Sequence, residues 1–231
     1  TLNLFGQDGL ADSPLWSTVA GVIWIIIMTY ICYRGIEVSA RIQYGLLSIE
    51  LIVLVVFSIV ALTKVYTGNA TPDSLTPELS WLWPSGMSLG TLVTATLIAV
   101  FIYWGWDSAV SVNEETADPE KTPGRAAILS TLLLLVTYAI VSVATVAFAG
   151  TGEAGLGLAN PDNSDDVFRA IGPSVFGDSG LGTIMELLLV VSVLTSAAAS
   201  TQTTILPTAR TALAMGAFKA VPTSFARIHP K

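Results

Sequence analysis

Five runs of predominantly apolar residues, 15–33, 42–63, 88–106, 126–150 and 180–206, decide what this chain can fold into. Each comes close to or exceeds the ~20 residues a helix needs to cross the hydrocarbon core of a bilayer. Three contain no charged residue, the second holds only Glu50, and the fifth only Glu186. A membrane-spanning β-strand would be shorter and would alternate apolar with polar residues, and these runs are continuous. The expected fold class is therefore an all-α polytopic membrane protein. It has five transmembrane helices in a single transmembrane domain over 1–231, with the third span taken as 88–113 and broken near Gly105.

Composition agrees: 52% of residues are hydrophobic, 12% are charged and the mean hydropathy is +0.69, which leaves too little polar surface for a soluble domain of 231 residues. A formal charge of −7 would suit a soluble acidic protein, yet the charges lie almost wholly between the apolar runs. One cysteine, Cys32, and one histidine, His229, exclude a disulfide framework and a thiolate or imidazole metal cluster. The opening residues lack an initiator Met and the pattern of a signal peptide, and the end stops in a polar connection. The expectation is an excerpt of a longer, multi-pass protein of the cell membrane.

Lys and Arg in the connections set the orientation. Arg34, Arg41, Lys121, Arg125, Arg210, Lys219, Arg227 and Lys231 fall on one side, and only Lys64 and Arg169 on the other. The eight-to-two split assigns the 34–41, 114–125 and post-206 connections to the cytoplasm. The outer connections carry Asp8, Asp12, Asp73, Glu78, Glu153, Asp162, Asp165, Asp166 and Asp178, with Trp81 and Trp83 as interfacial anchors and a short surface helix around 167–171.

The third run is interrupted by Gly105-Trp106-Asp107. Non-helical backbone at membrane depth is tolerated only against protein or a water-filled cavity, and the half-helix that follows presents unpaired N–H groups suited to a carboxylate. Asp107 reads equally as the N-cap of that half-helix and as a substrate contact.

The stretch Phe101-Ile102-Tyr103-Trp104-Gly105-Trp106-Asp107-Ser108-Ala109, followed by Asn113-Glu114-Glu115-Thr116-Ala117-Asp118-Pro119 and Pro123-Gly124-Arg125, resembles the sixth helix and following loop of the amino acid–polyamine–organocation permeases. Residues 32–43 are similar to the family's loop between helices four and five, and 209–231 to its loop after helix eight. The resemblance implies a LeuT-like inverted-repeat fold, covering about helices four to eight, that works by alternating access. It implies that Phe101, Tyr103, Trp104, Gly105, Trp106 and Asp107 line the substrate pocket, with Trp106 having the better claim among the aromatics beside the break. For any single aromatic, ordinary packing is the more frequent role.

Glu50 sits among Leu46, Leu47, Ile49, Leu51 and Ile52, where an ionised carboxylate is disfavoured unless it meets a cavity or partner. With Asp107 it is the candidate for proton coupling. Proton-coupled relatives often carry a Lys near this position, and the sequence departs from that pattern. Thr195-Ser196 resembles the hydroxyl pair with which sodium-coupled members of the wider fold hold their ion, although the tract 195–204 is rich enough in small and hydroxyl residues to be explained by close helix packing. Glu114, Glu115, Asp118 and Glu120 lie in a solvated connection beside Lys121 and Arg125, where salt-linked loop structure explains them.

No nucleophile–base pair, metal cluster, cofactor motif or nucleic-acid signature is present. The reading is a secondary active transporter, not an enzyme, for an amino acid or related amine or polyamine, with a proton as coupling ion and the bilayer as its environment. Alternatives are a sodium-coupled or exchange-mode transporter of the same fold, a channel, or a non-transporting membrane subunit.

Overall fold

The structure is a computed structural model describing residues 13–83, 86–103, 116–164, 166–177 and 179–227. Six α-helices occur among them: α1 Pro14–Tyr33, α2 Ile36–Tyr66, α3 Leu89–Ile102, α4 Thr122–Ala149, α5 Val167–Phe176 and α6 Gly180–Ala217. No strand occurs among the described residues. Four of the helices, α1, α2, α4 and α6, are long and apolar enough to cross a membrane. Of the third expected span, α3 accounts for 14 residues; the break at Trp104, Gly105, Trp106 and Asp107 lies outside the described residues.

The helix ends follow local chemistry. Pro14 starts α1, where its fixed φ suits a helix and its missing N–H is no loss. Gly35, at φ +114°, reverses the chain after α1. The connection expected over 34–41 therefore shrinks to Arg34 and Gly35, and α2 begins at Ile36 with Glu37 paired to Arg41 one exposed turn later. Ser88 Oγ accepts the Thr91 N–H at 3.1 Å to cap α3. The Asp118 carbonyl accepts the Thr122 N–H at 2.9 Å at the start of α4. Asp166 and Ser179 cap α5 and α6 in the same way, at 3.0 Å each.

The final helix differs most from the sequence expectation. It runs 11 residues past Leu206, through Pro207, to Ala217. Hydropathy drops after Leu206, but Ala209, Arg210, Ala212, Leu213, Ala214 and Met215 are strong helix formers and keep the helix going. It ends where Lys219 takes φ +61° and the Ala220 N–H donates to the Met215 carbonyl at 2.9 Å.

By its internal contacts the chain divides into two compact units, one of residues 1–45, 104–131 and 197–231 and the other of 46–103 and 132–196. The second contains an apolar core of Val53, Phe57 and Ala61 from α2, Ala144, Phe148 and Ala149 from α4, Ile171 and Val175 from α5, and Leu189 from α6. Helix α5, expected over 167–171, is twice that length. It is docked by the Phe168 and Phe176 rings, edge-on to Phe57 at 5.4 and 6.3 Å, and by Lys64 Nζ, which donates to the Ser174 carbonyl at 2.9 Å. In the first unit Met28, Ser39, Ala198 and Gln202 are buried. Much of the remaining helix surface is apolar and exposed, including Ile23 and Ile26 on α1, Leu97 and Ile98 on α3, and Ile128 and Leu129 on α4. Faces of that extent are suited to lipid or to further helices and not to water.

A strap over 71–75 closes the end of α4. Thr71 Oγ1 donates to the Phe148 carbonyl at 2.6 Å and the Leu75 N–H to the Ala147 carbonyl at 2.8 Å, satisfying two carbonyls that a helix end otherwise leaves open. Gly150 follows at φ +71°, and a Cβ built on it would fall on the Asp73 carbonyl oxygen. Gly150→Ala is therefore expected to lower the thermal midpoint of the purified protein clearly, since a left-handed L-residue alone costs about 1–2 kcal/mol. Gly152→Ala, with open space around the added Cβ, should leave it nearly unchanged. Equal midpoints for the two variants would contradict this account of the strap.

Candidate functional site

Glu50 occupies the middle of α2, on the face that also carries Val53 and Phe57, and is half-buried. The hydroxyl of Ser196, on α6, is its side-chain hydrogen-bond partner. The phenol of Tyr138, on α4, is near enough to interact electrostatically with the Glu50 carboxylate. Tyr138 in turn meets Tyr103, at the end of α3, edge to face at 5.9 Å and 83°. One carboxylate, one hydroxyl and two phenols, from α2, α6, α4 and the end of α3, thus form a polar cluster between predominantly apolar helices. Its only formal charge is that of Glu50 when ionised.

Of the residues expected to line a pocket, Tyr103 is in this cluster. Its N–H donates to the Ala99 carbonyl at 3.1 Å and closes α3. Phe101 lies on the last turn of α3 with 68% of its surface exposed. Trp104, Gly105, Trp106 and Asp107 lie outside the described residues, so Asp107 is not placed beside Glu50 or apart from it.

The expected hydroxyl pair separates. Thr195 is buried and its Oγ1 donates to the Ser192 carbonyl of its own helix at 2.8 Å, whereas Ser196 turns to Glu50. Glu50 and Ser196, singled out for two competing coupling ions, therefore lie at one place. Further along α6, Thr201, Thr203 and Thr204 donate to carbonyls three or four residues back, the usual way a hydroxyl is satisfied on a membrane helix. No group of three or more His, Cys, Asp or Glu side chains suited to a metal ion occurs among the described residues.

Sequence reasoning missed Tyr138. Within an uncharged run a tyrosine reads as packing, and the available signal was a period: Tyr138, Thr145 and Phe148 recur at helical spacing, and the last two are buried.

Chemically the cluster can hold a proton on Glu50, with Ser196 donating to the ionised form and remaining as an acceptor for the protonated form.

Comparison with known proteins shows the family of the chain. The family model described as amino acid permease matches residues 1–231. An uncharacterized transporter of Mycobacterium tuberculosis is 28% identical over 224 residues, which is 94% of this chain and 45% of that protein. The methylthioribose transporter of Bacillus subtilis is 25% identical over 228 residues, 98% of this chain and 44% of that protein. The branched-chain amino acid permease BcaP of Bacillus subtilis is 24% identical over 208 residues, 90% and 40% respectively. The chain spans less than half the length of these relatives, and no solved structure gives a significant match. With the family model matching along 1–231 and four long apolar helices to span a bilayer, the chain belongs to the amino acid permease family of multi-pass integral membrane proteins.

Proposed function

We propose that the protein is a proton-coupled secondary transporter of the cell membrane, moving an amino acid or related amine by alternating access, with Glu50 as the proton-carrying group. The observation that carries this reading is the setting of Glu50: a carboxylate in an apolar span, half-buried, with the Ser196 hydroxyl as its partner. A carboxylate so placed is more easily carried across neutral than charged. It loads a proton when water reaches it from the proton-rich side and releases it when access changes. In the LeuT-like fold that the sequence resemblance implies, the break at Gly105 supplies the substrate pocket, lined by Phe101, Tyr103, Trp104, Trp106 and Asp107. Asp107 and Glu50 then favour substrates bearing a positive amine over acidic ones.

The names of two relatives supply a second substrate reading. One is a branched-chain amino acid permease and another a methylthioribose transporter, so neutral side chains and a neutral thiosugar belong in the test. The experiment is uptake by the full-length protein in liposomes, with imposed proton or sodium gradients. The panel is lysine, putrescine, leucine, methylthioribose and glutamate. Accumulation of an amine-bearing compound driven by the proton gradient alone is expected. Accumulation driven only by sodium would transfer the coupling role to Thr195 and Ser196, and glutamate as the best competitor would overturn the substrate reading.

A further inference from the structure

We propose that Tyr138 on α4 is a positioning residue that relays displacement of the end of α3 to the Glu50 carboxylate. As a device for coupling substrate to proton this rests on the reading of Glu50 as the proton carrier; as a link between α3 and Glu50 it does not. Three contacts carry it. The Tyr138 ring stands edge to face with that of Tyr103, the centroids 5.9 Å apart and the planes at 83°. Its phenol lies within electrostatic reach of the Glu50 carboxylate. Glu50 in turn takes the Ser196 hydroxyl of α6 as its partner.

The two phenols differ in what holds their backbones. Tyr138 lies inside α4, a helix of 28 residues that continues on both sides of it. Tyr103 closes α3, with φ −88° and ψ 6°, and it is the last residue of its compact unit on this stretch of chain, which leaves that unit at Trp104. A displacement of the backbone beyond Tyr103 therefore reaches the Tyr103 ring first, while α4 stays in place. An edge-to-face pair sets the rim of one ring against the face of the other, so turning Tyr103 turns Tyr138 or releases it. Either outcome moves the Tyr138 hydroxyl relative to Glu50. A carboxylate accepts at two oxygens, so the Ser196 hydroxyl leaves room for a second donor, and a dipole turned toward or away from it is felt strongly where water is scarce. Packing alone would be served as well by Phe at 138. The hydroxyl is the part that packing does not need.

The test reads Glu50 directly in the full-length protein in liposomes. Dicyclohexylcarbodiimide, an apolar reagent that adds to protonated carboxyl groups, leaves an N-acylurea that peptide mass spectrometry locates at Glu50. Tyr138→Phe keeps the ring and removes the hydroxyl, and should change the labelling rate by about two- to tenfold, the effect of one hydrogen-bonding group. Tyr103→Leu removes the ring that Tyr138 meets and should change the rate as well. Made together with Tyr138→Phe it should add little, because the hydroxyl it repositions is already gone. Tyr66→Phe, at an exposed phenol on the last residue of α2, should leave the rate as it is. An unaltered rate in Tyr138→Phe, or a Tyr103→Leu effect that persists in full without the hydroxyl, would overturn the proposal; should Tyr103→Leu not fold, Tyr138→Phe decides alone. Uptake separates this from the coupling reading. Accumulation abolished in Glu50→Gln beside unaltered labelling in Tyr138→Phe removes the link and keeps Glu50 as the carrier. Proton-driven accumulation retained in Glu50→Gln beside altered labelling in Tyr138→Phe removes the carrier and keeps the link.

Discussion

Glu50→Gln is expected to abolish proton-driven accumulation while leaving substrate binding within a few-fold of the unsubstituted protein. The substitution keeps the size of the side chain and its ability to accept from Ser196, and removes only the titration. A one-unit pH gradient is worth about 1.4 kcal/mol, or about tenfold accumulation for a substrate moved with one proton. That factor is what the variant should lose, with exchange of substrate for substrate retained because it needs no net proton movement. The measurement is accumulation at several imposed pH gradients beside equilibrium binding. A purely structural carboxylate would behave differently: yield or stability would fall, and whatever protein survived would still accumulate substrate in proportion to the gradient. Ser196→Ala separates the roles further. Without its hydroxyl partner the ionised form of Glu50 loses a donor, so Ser196→Ala should displace the pH dependence of uptake while Glu50→Gln flattens it. An unaltered pH dependence in Glu50→Gln would remove Glu50 from the coupling scheme.

How far the sequence could be read depends on whether a feature is carried by neighbours along the chain. Continuous apolar runs carry their own physics, and four of the five expected spans appear as long helices. Helix ends are less legible to hydropathy. A single Gly35 can turn the chain where an eight-residue connection is expected, and α6 continues past Leu206 on helix propensity after its apolarity has ended. Glu50 stood out because a charge in an apolar run is rare. Its partners did not stand out, since Ser196 lies 146 residues away on another helix and looked like half of a hydroxyl pair with Thr195. The Ser39–Gln202 pair has the same character: Gln202 sat in a tract explained by packing, and only the meeting of α2 with α6 gives it a partner 163 residues distant. Sequence periodicity locates a face and does not say which other face it meets. The pocket residues from Trp104 to Asp107 rest on the family resemblance of their motif.

The largest loss of stability is expected from Phe57→Ala. Phe57 is fully buried, between Val53 and Ala61 on its own helix, and it packs in one cluster with Phe148 of α4, Ile171 and Val175 of α5 and Leu189 of α6. Two further rings, Phe168 and Phe176, meet it edge-on from the ends of α5. Truncation removes the largest contact in this core and leaves a cavity the surrounding helices cannot fill, at a cost of about 3–5 kcal/mol. Each aromatic pair adds about 0.5–1.5 kcal/mol beyond area burial, so the value should lie toward the upper end. The burial argument holds in a bilayer too, because helix association there depends on close packing more than on exclusion of water. Helix α5 depends most on this ring: it is ten residues long and docks through Phe168, Ile171, Val175 and Phe176 as well as the Lys64 bond to Ser174. Hydrogen exchange over 167–176 should therefore accelerate more than exchange in the middle of α4. Phe57→Leu, which keeps much of the volume, should recover part of the midpoint, and Ile59→Ala, at a side chain 60% exposed two residues away, should change it little. If Phe57→Ala and Ile59→Ala melt together with unchanged exchange in α5, the aromatic core is not what holds that helix in place.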